Sequence, residues 1–290
     1  MRGPRALLRD ARYALPRGIE RVAAGPGPAA AARRCVRLNR QGRGATLGYF
    51  QAAAAGPEDI LAANLAAASL FKGGAGDVQL ALKAPPLGFD AALIRRIAAA
   101  ADAAGLTLIF DAHGLGHAAP TLAAARDLLA DHPRTGVVIP ARWRRSLADA
   151  AAFRETSARI RLVKGEWADP DGSEADVAGN YLALVRQLAG RAAPVAVATH
   201  DPELAERALA LLLAAGTPCE LEQLRGLPGR RTAAVAKRLG VPVRVYVPFG
   251  PGWWPYAVDK ALARPYLLAW TLRDLFGGRG RPTPQAESTA

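Results

Sequence analysis

A chain of 290 residues is long enough for one large domain or two small ones, and its 51% apolar and 22% charged residues exclude an intrinsically disordered protein. The formal net charge of +13 is compatible with nucleic acid, a membrane surface or an acidic protein as partner. The arginines are scattered along the chain, however, and no RNP, helix-turn-helix or zinc-finger signature occurs. We therefore expect no binding of nucleic acid.

The two cysteines, Cys35 and Cys219, lie far apart and belong to no CxxC or Cys/His motif. This spacing supports neither a disulfide framework nor a zinc site, and it suits a reducing compartment such as the cytoplasm. Alanine-rich runs such as 97–104 and 208–215 are too short to cross a bilayer, so no integral membrane segment is predicted.

The chain begins with a basic, mildly amphipathic segment that leads into an Ala-, Gly- and Pro-rich stretch, and we interpret residues 1–32 as an N-terminal helical extension and linker. Short apolar runs then alternate with alanine-rich helical patterns such as 93–104 and 202–215. The eight candidate strands are 46–50, 78–83, 106–111, 136–140, 160–164, 194–199, 218–222 and 243–248. The Gly- and Pro-containing tail, 277–290, is predicted to be disordered.

This alternation determines the predicted fold. Eight strands, each followed by a helix, over about 250 residues are typical of a (β/α)8 TIM-type barrel, which we assign to residues 33–276. A doubly wound open sheet is the alternative. No GxGxxG follows any strand, which weakens the dinucleotide-binding form of that alternative.

Ionisable and polar side chains stand at the predicted ends of the strands, where barrel enzymes carry their catalytic groups. Each one alone has a structural interpretation: Lys83 could extend to solvent, Asp111 could cap a helix, and His200 could be a satisfied core histidine. Seven consecutive strand ends of this kind together predict a site at the barrel mouth. The residues at these ends are Lys83, Asp111, His113, Pro140, Arg161, Lys164, Thr199, His200, Glu220, Glu222 and Tyr246.

The strongest local signal is the pair of cations Arg161 and Lys164, three residues apart at the end of a strand. Two cations in a barrel mouth favour an anion: a phosphate, a carboxylate or the electron-rich edge of a flavin. The structural alternative is a salt-bridged strand end, with Asp111 or Glu222 as the partner.

A metal site and a serine triad are disfavoured. Asp111, His113, His200 and Glu222 lie on separate strands, and no HxH or HExxH pair supports them as ligands. We therefore expect no metal, and a metal-dependent hydrolase remains a minor alternative. No GxSxG motif occurs, which argues against a Ser/His/Asp triad.

Six motifs together resemble the proline dehydrogenase family over residues 44–266. They are LALK at 80–83, FDAH at 110–113, RLVKG at 161–165, ATH at 198–200, CELEQLRG at 219–226 and VYVPFGPGWWPY at 245–256. The resemblance implies a distorted (βα)8 barrel that binds FAD without a covalent link. It also implies removal of hydride from the carbon beside an amine nitrogen, which makes an imine, and transfer of the electrons to a quinone or another acceptor.

The same resemblance assigns roles to residues of this chain. Arg161 would lie by the reactive edge of the flavin ring, where a cation stabilises the reduced flavin. The groups that would hold the ribityl, phosphate or adenine parts are Lys164, Thr199 and His200. The groups that would line the substrate side are Lys83, Asp111, Tyr246 and Tyr256.

The chain departs from the family at the substrate clamp. The family's helix reads YxxRRxxE, with paired arginines for the amino-acid carboxylate, but here the register gives Tyr256, Asp259, Lys260 and Ala263. Lysine is a point charge and aspartate repels a carboxylate, so Asp259 and Lys260 predict a different substrate. We expect a cyclic or secondary amine whose carboxylate is missing, masked or tethered. If the carboxylate is retained, Lys83 or an arginine elsewhere holds it.

Other departures lie around the cofactor: Pro140 and Glu222 stand where the family has glutamine, Trp167 where tyrosine is usual, and His113 where an acid is usual. The predicted function is an FAD-dependent oxidoreductase acting on CH–NH bonds. The alternative is an inactive homologue that serves as a binding or partner protein in a biosynthetic pathway.

The partners follow from the chemistry and the charge. A quinone acceptor would bring the protein to the periphery of the membrane, where basic charge favours anionic lipid. The same charge would suit an acidic carrier protein that delivers a tethered substrate.

Overall fold

The structure, a computed structural model, describes residues 26–71, 74, 76–170 and 176–253. Most of the predicted N-terminal extension and the whole predicted disordered tail lie outside the described residues. So do three predicted site residues, Tyr256, Asp259 and Lys260.

Eight parallel strands form a closed barrel in chain order, and β1 pairs with β8 to complete it. The strands are β1 (Gly44–Tyr49), β2 (Val78–Leu82), β3 (Thr107–Phe110), β4 (Thr135–Pro140), β5 (Arg159–Val163), β6 (Val195–Ala198), β7 (Cys219–Leu224) and β8 (Val243–Phe249). The predicted (β/α)8 TIM-type barrel is confirmed, and every predicted strand overlaps an observed one.

Helices alternate with these strands. The helices are α1 (Pro28–Arg40), α2 (Pro57–Ser69), α3 (Ala91–Ala103), α4 (Ala118–Leu129), α5 (Ser146–Phe153), α6 (Val177–Leu188), α7 (Pro202–Ala214) and α8 (Arg230–Arg238). Helix α1 precedes β1, and α2 to α8 each follow one strand. In the part of the chain that the structure describes, no helix is both long enough and apolar enough to cross a membrane.

Helix α1 corrects the predicted linker. Residues 28–32, which the sequence assigns to a linker, form its first turns, and the proposed boundary between 32 and 33 lies inside it. Pro28 is at the first helical position, where its missing N–H costs nothing, and the alanines that follow favour helix. Ala31, Cys35 and Leu38 recur at helical spacing and are buried where α1 packs on β1 and β8.

Two apolar regions support the barrel. The larger lies between the strands and the surrounding helices and includes outward-facing residues such as Leu221 of β7. The smaller consists of Ala81, Ile109 and Val138, inside the barrel. Side chains alternate along a strand, so the neighbours of Leu221 point inward, and they are the carboxylates Glu220 and Glu222. Much of the barrel interior is therefore ionic, not apolar.

Candidate active site

A cavity of about 520 Å³ opens among the C-terminal ends of the strands. Apolar side chains, including Val138 and Leu227, line part of its wall. It also brings together these residues named from the sequence: Lys83, Asp111, His113, Pro140, Arg161, Lys164, Thr199, His200, Glu222 and Tyr246. Its volume is that of a small-molecule or cofactor site.

Arg161 lies at the centre of the polar wall. Its Nε donates to Glu222 Oε2 at 2.7 Å, and its Nη1 donates to Asp111 Oδ1 at 2.8 Å. Thr46 connects the same groups, because its hydroxyl donates to Glu222 Oε1 at 2.9 Å and accepts from Arg161 Nη2 at 3.4 Å. Both ion-pair partners weighed in the structural alternative are therefore present at once.

The two carboxylates determine the charge state of Arg161. Burial by itself lowers the pKa of the guanidinium, but Glu222 and then Asp111 outweigh burial, and the pKa is raised. Only 4% of the Arg161 side chain is exposed, so the guanidinium is a fixed cation held by protein groups.

Tyr246 completes the arrangement from β8. Its hydroxyl donates to Asp111 Oδ2 at 2.8 Å, and its ring lies 5.2 Å from the Arg161 guanidinium carbon. Burial, followed by Asp111, raises the pKa of Tyr246 well above its usual value, so the phenol keeps its proton. The ring has room only because residue 48 is glycine: a Cβ on Gly48 would lie 1.9 Å from the Tyr246 oxygen.

Lys83 is a second, less enclosed cation. Its Nζ donates to the carbonyl of Tyr49 at 2.6 Å, lies 3.9 Å from Asp111 Oδ2 and is 4.1 Å from the centre of the Phe50 ring. Burial lowers the pKa of the Lys83 amine, and Asp111 opposes this only in part. A larger neutral fraction makes Lys83 a better proton acceptor than an exposed lysine.

Lys164, Thr199 and Asp201 form a polar corner beside the N-terminus of α7. Asp201 caps that helix, and Lys164 Nζ lies 3.3 Å from its second carboxylate oxygen. The Thr199 hydroxyl accepts the Asp201 backbone N–H at 3.2 Å and can still donate. A cation, a hydroxyl and a helix N-terminus are the chemistry that binds phosphate.

His200 lines the cavity but is engaged by backbone. Its Nδ1 lies 2.6 Å from the carbonyl of Pro228, and its Nε2 accepts the backbone N–H of Leu224 at 2.9 Å. These partners assign the proton to Nδ1. The ring thus joins the end of β6 to the loop between β7 and α8, as the satisfied-histidine interpretation predicts.

An aromatic rim borders the cavity on the side of β3. His113 stacks on Trp167 with ring centres 4.7 Å apart and contacts the edge of His117 at 5.7 Å. Burial, with further effects of His117 and Lys83, lowers the pKa of His113, so its ring is neutral at pH 7.

Glu220 corrects one prediction, because it does not lie at the mouth with Glu222. It pairs with Arg244 Nε at 2.7 Å and Arg159 Nη2 at 2.6 Å, at the N-terminal ends of the strands. Residues two apart on a strand are separated by about 6.6 Å, so Glu220 and Glu222 occupy successive layers. The two-residue spacing of these glutamates within β7 was sufficient to predict that they lie in different layers of the barrel interior.

Pocket residues such as Phe50 and Glu166 were missed from the sequence, because they lie in loops without periodicity. Thr46, a buried partner of Arg161 and Glu222, was also missed, although it was detectable as an inward polar position within β1. Among the described residues, no group of three or more His, Cys, Asp or Glu side chains could hold a metal ion.

Comparison with known proteins places these features in a family. Residues 31–253 match the family model "Proline dehydrogenase". Proline dehydrogenase 1 of Bacillus subtilis subsp. natto is 28% identical over 279 residues, which cover 89% of this chain and 90% of the relative. Proline dehydrogenase of Deinococcus radiodurans is 30% identical over 193 residues, 63% of this chain and 62% of the relative.

Solved structures resemble this one in fold. Proline utilization A of Bdellovibrio bacteriovorus gives a TM-score of 0.74 at 17% identity over 89% of this chain. The protein of the same name from Corynebacterium freiburgense gives 0.65 at 16% identity over 93% of this chain. The chain spans 34% of each of these longer proteins. Since the family model covers all eight strands of the barrel and every described residue of its mouth, the chain belongs to the proline dehydrogenase family.

Proposed function

We propose that this chain is an FAD-dependent oxidoreductase that converts an amine C–N bond to an imine. The observation that carries the proposal is the cluster of Lys83, Asp111, Arg161 and Tyr246 in one cavity, in a member of the proline dehydrogenase family. Ionisable groups whose pKa values are shifted by burial and by neighbouring charges, gathered in a concave site, are typical of catalysis.

The residues present fit a flavin. Arg161 would lie by its ring edge, apolar wall residues such as Val138 would contact the ring, and Lys164 and Thr199 would hold a phosphate or the ribityl chain. His200, whose two ring nitrogens already have backbone partners, would act by supporting the wall. When bound, FAD would supply the hydride acceptor, which no amino-acid side chain can replace.

The chain's own residues would orient and deprotonate the amine. A protonated amine must lose a proton before its neighbouring carbon can give up hydride, and the Lys83 amine is the base placed for this step. Asp111 would accept a hydrogen bond from the substrate nitrogen, and Tyr246 would hold that carboxylate in place at 2.8 Å.

We further propose a substrate without a free carboxylate. Among the described pocket residues, each lysine or arginine already faces a carboxylate, because Lys83 and Arg161 face Asp111 and Lys164 faces Asp201. An anionic substrate would have to displace these acids. Asp259 and Lys260 lie outside the described residues. Asp259 would add an acid, and Lys260 only a point charge, where a carboxylate needs a bidentate clamp.

A second candidate function is that of an inactive homologue that acts as a binding or partner protein. The observation that favours it is the internal pairing of Arg161, which leaves the central cation without need of a ligand. The absorbance spectrum separates the two candidates. Protein that stays colourless after incubation with excess FAD would overturn the flavoenzyme and leave the binding protein.

The substrate proposal is tested with amines of matched ring size. We expect kcat/KM for pyrrolidine or proline methyl ester to exceed that for L-proline at least tenfold, about 1.4 kcal/mol in transition-state binding. The double variant Asp259→Arg, Lys260→Arg should narrow this ratio. A control with the same charge change on exposed helix positions, Asp127→Arg with Lys237→Arg, should not. Efficient turnover of L-proline by the unaltered protein would contradict the proposal.

The acceptor and location follow from the same proposal. A quinone or another two-electron acceptor would reoxidise the flavin, in the cytoplasm or at the membrane periphery, where the net charge of +13 favours anionic lipid. An acidic carrier protein that presents a tethered amine is the alternative partner for this charge.

A further inference from the structure

Arg161, which the proposed function places beside the flavin ring, is held by two ion pairs at once. Its guanidinium has not one carboxylate partner but two, Glu222 at 2.7 Å and Asp111 at 2.8 Å, and it is 4% exposed. With Lys83 protonated, the group contains two cations and two carboxylates and its formal charge is zero, and with Lys83 neutral the group carries one negative charge. In either state a ligand in the cavity faces no net cation.

The two carboxylates differ in availability. Asp111 is 13% exposed, lies near Lys83 and holds the Tyr246 hydroxyl, so it can exchange partners when a substrate binds. Glu222 is 2% exposed, and its two oxygens are taken by Arg161 and the Thr46 hydroxyl. Glu222 is the permanent partner of Arg161.

We infer that Glu222 lowers the reduction potential of the flavin by neutralising Arg161, which rests on the proposed function for the presence of the flavin. In that reaction a hydride, two electrons with one proton, would leave the carbon of the neutral amine for the flavin. The amine would become a protonated imine, which releases its N–H proton to solvent, and the flavin would gain one negative charge. A cation beside the ring stabilises that charge, and a fixed carboxylate 2.7 Å from the same cation offsets the stabilisation. Glu222 is a positioning residue that acts through Arg161, and the reduced flavin becomes the stronger donor to a quinone or other acceptor.

The test is the reduction potential of the bound flavin, measured by equilibration with a redox dye. Glu222→Gln keeps the shape and a carbonyl oxygen for Arg161 Nε but removes the charge. We expect the potential to rise by at least about 30 mV, a tenfold change in the equilibrium constant for two-electron reduction. Glu222→Asp, which keeps the charge but draws it back, should give a smaller rise.

The matched control is Glu220→Gln, the same change two residues away on β7, beside Arg244 and outside the cavity. It is expected to lower stability and to leave the potential within 10 mV or so, about a twofold change in that constant. A potential unchanged in Glu222→Gln, or an equal rise in Glu220→Gln, overturns the inference. If Glu222→Gln yields no folded protein, an unchanged potential in Glu222→Asp overturns it.

The outcome also separates this inference from the function on which it rests. Unaltered protein that binds no FAD overturns both. Protein that binds FAD and oxidises an amine, but whose potential does not respond to residue 222, overturns only the role of Glu222.

Discussion

Two buried arginines, one near each end of the barrel, each pair with one glutamate and one aspartate, but their surroundings differ. At the N-terminal end, Arg244 binds Glu220 at 2.7 Å and Asp77 at 2.5 Å, and Arg159 shares Glu220. At the mouth, Arg161 binds Glu222 and Asp111, and Lys83 lies beside Asp111. Each group contains two cations and two carboxylates.

The surroundings decide what this balance does. The carbonyl of Ala45 accepts from Arg244 Nη1 at 2.8 Å, and the Arg244 side chain is 1% exposed. Its charge therefore stabilises only the N-terminal end of the barrel. The group at the mouth borders a cavity of about 520 Å³, where each charge also acts on whatever binds. The same ion-pair chemistry is enclosed at one end of the barrel, and at the other end it borders the cavity in which we propose that catalysis takes place.

The largest expected effect is a loss of stability at the N-terminal end of the barrel. Glu220→Ala leaves Arg159 and Arg244 facing each other without their shared carboxylate, and we expect a loss of about 3–5 kcal/mol in the free energy of unfolding. Urea denaturation measures it. The exposed pair of Glu206 and Arg238 offers the control, since Glu206→Ala should cost below about 1 kcal/mol. Equal losses in the two variants would contradict a structural role for Glu220.

The next largest effect is expected at the barrel mouth, where a substitution at Gly48 should lower both stability and activity. In Gly48→Ala the new Cβ collides with the Tyr246 ring, so the ring must move away from Asp111. We expect a loss of about 1–3 kcal/mol in stability and a marked fall in kcat. Gly116→Ala, where no atom lies within 4 Å of the added Cβ, is the control and should be nearly neutral.

Combining Gly48→Ala with Tyr246→Val should recover stability without recovering activity. The coupling free energy from the double-mutant cycle is the measurement, and additive losses would show that the two positions do not compete for space.

A smaller effect concerns the support of the cavity wall. His200→Asn removes the ring that joins Leu224 and Pro228, at a cost of about 1–2 kcal/mol for the hydrogen bonds. Hydrogen exchange should speed up at the Leu224 amide, with little change at Leu221, which lies in the same strand. Unchanged exchange at Leu224 would argue against this support.

The smallest effect is a dependence on pH at the aromatic rim. The lowered pKa of His113, caused by burial and then by His117 and Lys83, means that the unfolded chain takes up a proton below the usual histidine pKa of about 6.5 while the folded chain does not. Stability contributed by His113 is thus present above that pH and falls as the solution is acidified. Glu166 and Asp111 oppose the shift, which keeps it modest.

The pH prediction is checked with urea midpoints at pH 7.5 and 5.5. His113→Asn should lose less stability on acidification than the unaltered protein. An equal or larger loss in the variant would contradict it.

Local periodicity was sufficient to predict the barrel. Alternation of apolar and polar residues identified strands such as β8, glycines marked helix ends, and the order of strands and helices permits few closed parallel topologies. It failed at α1, because Pro28 within an Ala- and Gly-rich stretch is equally compatible with a linker and with a helix start. Only the contact of α1 with β1 and β8 decides between them.

The residue types of the mouth were also present in the sequence, since side chains at the C-terminal ends of parallel strands converge at one end of a barrel. The sequence did not determine how these side chains pair. Arg161 takes Asp111 and Glu222, which are 50 and 61 residues away in the chain, a choice made by strand register and barrel closure. Register also separates Glu220 from Glu222, two residues apart on β7. Glu220 pairs with Arg244 near the N-terminal end of the barrel, and Glu222 pairs with Arg161 at the mouth. Pairing depends on distances across the barrel, and those exist only when all eight strands are in place.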